Sequence, residues 1–402
     1  MVFPERASSV APLMSLERFG DCKLGLGLRY FSVLQVPETA LGQHESPDWP
    51  PGRVILLARA QGRASSFRKP RKDETYHSTV LLLASLSSSV NGLDRTSLQL
   101  WNSSVVYNAP HVSHNLAAAL VPGADGRLQL VAVGGQFLSP ERARWLKLYA
   151  GIHLLRAQRL SDVSSNAWST AWDRRRTYRE TLLHEPPLIL NGFHPGCVEC
   201  RRGTYGACEF DGKLSVVKFR GRVLIYARAN LEAEGGGRYV QFTASEGDDP
   251  LGPYRPLRLI DIAGYAPWSG GNIYYATVNP NPLDHGNTLL GLFPVALNET
   301  DVRPALKRSR APLGFMGLSI SCDGHHWAPL TVLSHCKVQH NRTLCQPADG
   351  LVTVDGQIFA FVHDDVPQIC TRGWPALVPH KLDLDFLGNL TAAARRTLPG
   401  CE

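Results

Sequence analysis

Short apolar segments separated by turn residues recur along the chain, and the clearest example lies within residues 208–230. In CEFDGKLSVVKFRGRVLIYARAN, the apolar segment 214–219 is followed by the turn Arg220-Gly221 and by a second apolar segment, 223–226, with Arg228 just beyond it. Two apolar segments joined by a tight turn are typical of a β-hairpin. The pattern therefore predicts two antiparallel strands with polar residues at their open end.

The same hairpin pattern returns three times. His114-Asn115 opens LAAAL, which turns at Asp125-Gly126 and returns as RLQLVAVGG. Asn272 opens IYYATVNPN, which is followed by a loop and by TLLGLFPVAL. Asp349-Gly350 opens LVTV, which turns at Asp355-Gly356 and returns as QIFAFVHDD. A supersecondary unit that recurs along a chain predicts a repeat architecture.

Further apolar segments extend this pattern to the rest of the chain. Residues 22–36, 54–59, 79–86 and 98–106 predict a first sheet, and sustained helical periodicity is confined to a short tail at residues 391–396. Five sheets of about four antiparallel strands indicate an all-β fold, namely a five-bladed β-propeller. A pair of β-sandwiches is the alternative architecture.

The ends of the chain complete the predicted organisation. The last predicted blade has too few strands, and residues 24–36 are available to supply the missing one, so we expect an N-terminal strand to close that blade. Residues 1–20 are predicted to be a flexible lead-in. Residues 21–390 are predicted to form a single β-propeller domain, and residues 391–402 a tail.

Composition and charge narrow the classes of partner. The chain has 402 residues, of which 44% are hydrophobic and 19% charged, with Gly 36 and Pro 28, as expected for a turn-rich β protein. Its formal charge is +7, but the two basic clusters, at residues 67–72 and 174–176, read as solvated loops without interleaved aromatic residues. We therefore expect no nucleic-acid partner. No apolar segment of about 18 residues is present, so no membrane span is predicted.

Cysteines and glycosylation sequons favour an oxidising compartment. The chain has 9 cysteines, and Cys336 and Cys345 are spaced for a disulfide-closed surface loop. N-x-S/T sequons, the acceptors of N-linked glycans, occur at Asn102, Asn298, Asn341 and Asn389. These features predict a glycoprotein of the secretory pathway or extracellular space, although residues 1–20 do not read as a signal peptide.

A second group of cysteines admits two interpretations. His194, Cys197, Cys200 and Cys208 lie close together in sequence and are all zinc-ligand types. In a secreted protein, disulfide pairing is preferred over zinc. With zinc bound, the protein would be an intracellular interaction module.

Polar residues stand at equivalent places in the repeats. In a propeller the innermost strand of each blade lines the axis, so the residues just before those strands meet at one rim. Paired carboxylates at such a rim are what glycoside hydrolysis requires, because one protonates the leaving oxygen while the other attacks or activates water. The catalytic candidates are Asp211, Asp349 and Glu209. The substrate-binding candidates are His114, Asn115, Arg228, Asn272, His363 and Asp364.

Each of these residues also has a structural interpretation. Asp and Asn before a strand are ordinary turn formers, and Arg228 is equally suited to a structural salt bridge. The sequence contains no G-x-S-x-G or H-E-x-x-H motif, and GLGLRY lacks the third glycine of a dinucleotide site. We therefore expect no cofactor and no metal at the rim.

The repeated unit resembles the five-bladed β-propeller glycosidases of the arabinanase, xylosidase and invertase type. The resemblance covers about residues 110–390 and is carried by FDGKLSVVKFRGRVLIYARAN and GLSISCDGHHW. The second phrase contains S-x-D-G-x-x-W, which is similar to a turn between the third and fourth strands of those enzymes and, loosely, to the Asp-box of sialidases. This motif is structural.

The resemblance implies a carbohydrate-active protein with a glycan as its partner. In the glycosidases, Asp residues open two catalytic blades and a Glu in a third supplies the acid; the corresponding positions here are Asn115, Asp211 and Asn272. Only Asp211 is a carboxylate, so Asp349 or Glu209 would have to be its partner. The sequence thus predicts a glycoside hydrolase-like protein, and the alternative is a non-catalytic, glycan-binding or scaffold propeller.

Overall fold

A computed structural model describes residues 14–15, 26–37, 54–62, 77–85, 99–101, 106–107, 115–123, 126–135, 151–157, 188–198, 208, 210, 212–231, 237–267, 272–296, 314–336, 338–339, 342–343, 345–364 and 376–401. These residues form mostly β-strands, which confirms the all-β prediction. No helix in these ranges is long and apolar enough to cross a membrane.

The first two sheets are antiparallel and come from the N-terminal part of the chain. A short strand, β1 (Met14–Ser15), precedes them. The first sheet contains β2 (Leu26–Gln35), β3 (Val54–Gly62) and β4 (His77–Ser85), with β5 (Gln99–Trp101) and β6 (Val106–Tyr107) both paired to β4. The second sheet contains β7 (Ala117–Pro122), β8 (Leu128–Gly135), β9 (Gly151–Ala157) and β10 (Leu188–Asn191).

The next two sheets come from the middle of the chain. The third sheet contains β11 (Ser215–Phe219), β12 (Arg222–Asn230), β13 (Arg238–Ala244) and β14 (Arg258–Leu259). The fourth contains β15 (Asp261–Ile262), β16 (Asn272–Ile273), β17 (Thr277–Pro280), β18 (Leu289–Ala296), β19 (Gly314–Ser321), β20 (His326–Trp327) and β21 (Thr331–Cys336). A 3₁₀ turn, Pro282–Asp284, follows β17.

The C-terminal part of the chain forms the last sheet and the helix. A two-stranded ribbon, β22 (Val338–Gln339) and β23 (Arg342–Thr343), comes first. The fifth sheet contains β24 (Gln346–Val354), β25 (Gln357–Asp364) and β26 (Ala376–Lys381), and the helix is α1 (Leu384–Thr397). A parallel contact between Ser32 of β2 and Asp349 of β24 joins the first and fifth sheets.

The first strands of the sheets contact one another in a closed series. β2 contacts β7, β7 contacts β11, β11 contacts β17, β17 contacts β24, and β24 contacts β2. Each of these strands is followed by an antiparallel partner that lies farther out. The sequence repeats therefore correspond to equivalent hairpins arranged around a common centre.

The N-terminal strand that pairs with the fifth sheet is not the one that the sequence indicated. Residues 24–36 were expected to close the last blade, but Leu26–Gln35 is β2, the innermost strand of the first sheet. Its side chains from Tyr30 to Leu34 are buried on both faces, as expected for an inner strand. β1 instead pairs with the outer strand β26, with Ser15 opposite Ala376.

Apolar side chains fill the space between successive sheets. Leu57 and Leu130 share the core between the first and second sheets, and Tyr226 and Trp327 share the core between the third and fourth. Similar clusters lie between the second and third sheets and between the fourth and fifth. Because each sheet buries both faces, its strands carry apolar residues almost continuously, which is why the sequence shows short apolar segments.

The C-terminal helix is longer than the tail helix predicted at residues 391–396. It begins at Leu384 because the carboxylate of Asp383 accepts a hydrogen bond from the backbone N–H of Phe386 at 3.0 Å, which caps the first turn. Leu387 and Ala394 are buried against the fourth and fifth sheets. The helix therefore belongs to the packed fold, and residue 389, a sequon asparagine, lies on its exposed face.

Candidate functional site

Side chains from several sheets meet where the inner strands begin and where β12 ends. We call this end of the ring the mouth. Asn115 directly precedes Leu116 and β7, Lys213 precedes β11, and Tyr274 precedes β17. Arg228 lies near the end of β12, at the same level as Lys213, because β11 and β12 are antiparallel with Ser215 opposite Tyr226.

A buried ion pair occupies the centre of the mouth. Lys213 and Asp349 have side chains that are 0% and 2% exposed, and the Lys213 ammonium donates a hydrogen bond to Oδ2 of Asp349. Lys213 also donates to the carbonyl oxygens of Leu116 at 3.2 Å and Leu214 at 3.5 Å. The Ser32 hydroxyl donates to the same Asp349 oxygen at 3.1 Å. The pair thus connects the first, second, third and fifth sheets.

Burial sets the electrostatics of this pair. It lowers the pKa of Lys213, and the negative charge of Asp349 opposes that shift. Burial likewise raises the pKa of Asp349, and Lys213 opposes that shift through its charge and hydrogen bond. Two charges out of water are tolerated only when each has the other close by. The geometry therefore gives Asp349 a structural partner, and its catalytic role stays a prediction.

Polar contacts also fasten the remaining inner strands. The Ser215 hydroxyl accepts a hydrogen bond from the Val278 N–H at 2.9 Å, joining β11 to β17. The side-chain oxygen of Asn279 accepts one from the Gly350 N–H at 2.7 Å, joining β17 to β24. Backbone groups in the inner strands are thus satisfied by side chains of the next sheet, as buried polar groups require.

The two predicted opening asparagines, Asn115 and Asn272, bind backbone groups. The side-chain amide nitrogen of Asn115 donates to the Phe210 carbonyl oxygen, and the backbone carbonyl oxygen of Asn115 accepts a hydrogen bond from the Leu214 N–H at 3.0 Å. Asn272 accepts a hydrogen bond from the Arg238 N–H at 2.7 Å through its side-chain oxygen. Both residues are buried. A carboxylate has no donor, so an aspartate could not make the contact that Asn115 makes.

Arg228 and two tyrosines form an aromatic and cationic wall of the mouth. The Arg228 side chain is buried, and its guanidinium carbon lies 5.4 Å from the Tyr274 ring centroid; that of Arg238 lies 5.5 Å from the same centroid. The Tyr274 and Tyr30 hydroxyls are 3.5 Å apart. A side chain at Gly212 would contact Arg228 at 3.5 Å, so the backbone before β11 runs close to this arginine.

Two of the remaining predicted site residues, His363 and Asp364, lie at the end of β25. His363 is buried near the end of β25, edge-on to the Phe31 ring with centroids 5.0 Å apart. Asp364 is the last residue of β25. The structure therefore brings Asn115, Arg228, Asn272 and Asp349 to the mouth. His114, Glu209 and Asp211 lie outside the described residues.

Sequence reasoning missed Lys213, Tyr30 and Tyr274. The signal for Lys213 was its position directly before an apolar strand, where the other repeats place an Asn or Asp opening. Its partner Asp349 is 136 residues away in sequence, so nothing local indicated the pair. The tyrosines were hidden because aromatic residues are common in and around the strands of any β protein.

Three disulfides are present in the described part of the chain. Cys336 is bonded to Cys345, which confirms that prediction. Cys197 is bonded to Cys208, so two of the candidate zinc ligands are joined to each other and the disulfide interpretation is the one the structure supports. A third bond, between Cys322 and Cys401, was not foreseen.

The S-x-D-G-x-x-W motif forms the turn between β19 and β20. Oδ1 of Asp323 accepts hydrogen bonds from the backbone N–H groups of His325 and His326, both at 2.8 Å, and Oδ2 lies 2.6 Å from Nδ1 of His326. Burial raises the pKa of Asp323, but these hydrogen bonds outweigh it and hold the pKa below its usual range. The Trp327 side chain is fully buried. The turn is structural, as expected.

The same turn contains a possible set of metal ligands. One atom each of Asp323, His325 and His326 lies within 4.8 Å of the others. Both Asp323 oxygens already accept hydrogen bonds, and burial, together with the nearby Arg258 charge, lowers the pKa of His325. A neighbouring guanidinium repels a metal cation as it repels a proton, so this cluster is better explained as a hydrogen-bonded turn.

No protein-family model matches the sequence, and the search of curated proteins found no match. Among solved structures, the chain is similar to a GH93 α-L-arabinofuranosidase of Fusarium graminearum in complex with arabinobiose: 8% identity, 89% of this chain and 94% of that one covered, and a TM-score of 0.46.

Two further structures show the same degree of similarity. They are an α-L-arabinanase of Penicillium chrysogenum complexed with arabinobiose (10% identity, 87% and 86% covered, TM-score 0.41) and an N-acetylgalactosamine deacetylase from F. plautii with a blood group B trisaccharide (9%, 88% and 88%, 0.46). Glycosidases of the predicted type are thus among the structures that this chain resembles.

Proposed function

We propose that the protein is a five-bladed β-propeller that binds a carbohydrate at its mouth. The observation that carries this proposal is the convergence, at one end of a closed ring of inner strands, of polar and aromatic side chains from separate repeats. Aromatic rings beside a few directed polar groups suit a sugar, whose ring has apolar faces and hydroxyl edges.

Binding without cleavage is the function that the described residues support best. Hydrolysis requires two carboxylates that can reach the substrate. Asp349 is buried against Lys213, and Asn115 and Asn272 are amides engaged with backbone groups. Within the part of the chain that the structure describes, the mouth therefore contains no pair of accessible acids.

Hydrolysis by Asp211 and Glu209 is the second candidate. Gly212, the residue after Asp211, lies against the buried side chain of Arg228. A buried guanidinium is favourable only beside an anion or several acceptors, and a two-point contact with a carboxylate would hold that acid in one orientation. In this case Asp211 is the catalytic carboxylate, Glu209 its partner, and His114 and Arg228 orient the substrate.

The disulfides support a location outside the cytosol. Three disulfides in one chain are typical of extracellular or luminal proteins, because cytosolic reductants keep thiols reduced. The exposed position of Asn389 on α1 is compatible with a glycan there. We propose that the protein works outside the cytosol, where a glycan partner would be available.

A glycan array and a panel of aryl glycosides test both candidates. The wild type is compared with Asp211→Asn and Glu209→Gln, and Asp261→Asn, an exposed acid on β15, is the matched control. We expect specific glycan binding and no turnover in any of these proteins. Turnover that the mouth variants lose and the control keeps would establish the second candidate. Absence of any glycan binding by the wild type would refute both.

A further inference from the structure

A groove with four arginines lies at the opposite end of the third sheet from the mouth. Its volume is about 560 Å³. Its walls come from the β11–β12 turn, from β13, from residues 255–258, and from the Asp323 turn of the fourth sheet. The side chains that matter are Arg220, Arg222, Arg255, Arg258, Phe219 and Phe242.

The charges of this groove are largely unbalanced. Among the described residues, Arg222, Arg255 and Arg258 have no carboxylate partner and no side-chain hydrogen bond. Arg220 donates only to carbonyl oxygens, those of Gly400 at 2.7 Å and Asn287 at 3.3 Å. The acid that lines the groove, Asp323, is engaged with its own turn. Positive charge therefore exceeds negative charge, and it faces one cavity.

The groove is a separate site from the mouth. Arg222 begins β12 and Arg228 lies near its end, six residues farther along. At about 3.3 Å per residue these two side chains are roughly 20 Å apart along the strand. A ligand that fills the groove would therefore not reach the mouth residues, and the two sites can be changed independently.

The aromatic rings show which kind of anion the groove fits. Arg258 lies over the Phe242 ring at 4.9 Å, and Arg220 over the Phe219 ring at 5.1 Å. The other neighbours of Phe242 are Tyr226 and His325, stacked at 5.6 and 5.5 Å. Nucleic-acid bases need free aromatic faces for stacking, and these faces are covered. Planar guanidinium groups instead suit oxyanions, which they bind through two parallel hydrogen bonds.

We propose that this groove binds an acidic oligosaccharide through the sulfate or carboxylate groups of its sugars. The cavity lies in the size range of sites for small molecules, and its apolar floor would contact the sugar rings while Arg222, Arg255 and Arg258 bind the anions. Such a site would let the protein attach to an acidic glycan at the groove independently of what the mouth binds.

The test measures binding by calorimetry at low salt, about 20 mM, and at about 150 mM. The ligands are a sulfated heparin-derived tetrasaccharide, an oligogalacturonate, a neutral oligosaccharide of the same length, inorganic sulfate and single-stranded DNA. The variants are wild type, Arg222→Gln/Arg258→Gln, the corresponding double Lys variant, and Arg127→Gln. Arg127 is exposed in the β7–β8 turn of the second sheet. Arg127→Gln therefore removes one positive charge outside the groove.

We expect at least one of the two acidic oligosaccharides to bind, with weaker binding at higher salt because charges are screened. The Gln double variant should lose about a hundredfold in affinity, roughly tenfold for each charge-assisted contact, and Arg127→Gln should not change it. Which acidic ligand binds identifies the anion as sulfate or carboxylate.

Several results would overturn the proposal. One is wild-type affinity in the Gln double variant. Another is that neither acidic oligosaccharide binds the wild type at low salt, and a third is that the neutral oligosaccharide binds as tightly as the acidic ones. Inorganic sulfate or DNA binding as tightly as the acidic glycan would show a general anion site or a nucleic-acid site instead. Wild-type affinity in the Lys double variant would also contradict the proposal, because it would show that positive charge is sufficient and that the paired hydrogen bonds of arginine are not needed.

Discussion

Breaking the buried pair of Lys213 and Asp349 should destabilise the fold more than removing both charges together. Asp349→Asn keeps the shape of the side chain but leaves the Lys213 ammonium buried without its counter-charge. Loss of one partner of a buried ion pair costs about 3–5 kcal/mol. Lys213 retains the carbonyl oxygens of Leu116 and Leu214, which places our expectation near the lower end, about 3 kcal/mol.

This free energy corresponds to a measurable thermal shift. For 402 residues the entropy of unfolding is about 0.8 kcal/mol/K, so 3 kcal/mol lowers the melting temperature by about 4 °C. Urea unfolding gives the free energy more directly. We expect Lys213→Met to cost a similar amount, because it leaves Asp349 charged and buried with only neutral hydroxyl donors, those of Ser32 and Ser215, in the described structure.

A double-mutant cycle separates the pair from other effects. In Lys213→Met/Asp349→Asn no charge remains, so the double variant should be at least 2 kcal/mol more stable than the sum of the single effects predicts. The half-exposed pair of Lys218 and Asp248, 3.7 Å apart, is the control and should show coupling below about 1 kcal/mol. Additive effects at Lys213 and Asp349 would refute the assigned role of the pair.

Two further predictions concern the ring and the β19–β20 turn. Gly350 has a φ of +89°, and a Cβ there would lie 1.7 Å from a carbonyl oxygen of β2, so Gly350→Ala should cost more than about 3 kcal/mol in urea unfolding. Gly356→Ala, with φ +72° and nothing within 4 Å, should cost only the backbone strain of about 1–2 kcal/mol; equal losses would contradict the close approach. For Asp323 the folded-state pKa is lowered, so its contribution is present above the unfolded pKa and is lost as pH falls through the folded one. Asp323→Asn should therefore cost about 1.5–3 kcal/mol at pH 7. The difference from wild type should vanish well below pH 4, and a difference independent of pH would show that the carboxylate's charge is not involved.

The sequence predicted contacts between residues that are near one another in the chain, and it missed contacts between distant segments that the closed ring brings together. Hairpins were readable because apolar segments and turn residues are neighbours in the chain, and the disulfide between Cys336 and Cys345 closes a separation of only 9 residues. The bond between Cys322 and Cys401 spans 79 residues, and it forms because α1 packs beside the β19–β20 turn. The start of α1 was missed because its capping residue, Asp383, lies in a segment that alternates like a strand.

The candidate site shows the same contrast between local positions, which were predictable, and distant partners, which were not. The positions of Asn115 and Asn272 at the ring were predictable from the repeats, but their partners were not, because each binds a backbone group of a neighbouring segment. One sequence shows where the repeats begin without showing which segments lie side by side. The identity of each contact depends on which sheets are neighbours in the ring.

The buried polar residues of the mouth connect the inner strands of adjacent sheets. Inner strands of adjacent sheets meet at a polar centre, and groups buried there must be paired. Lys213 neutralises Asp349, and the Asn115 amide supplies a donor that an aspartate lacks. Lys213, Asp349 and Asn115 are thus engaged in contacts that hold the ring together. We therefore expect variants of Asp211 and Glu209, rather than of the asparagine openings, to distinguish a glycan-binding propeller from a hydrolase.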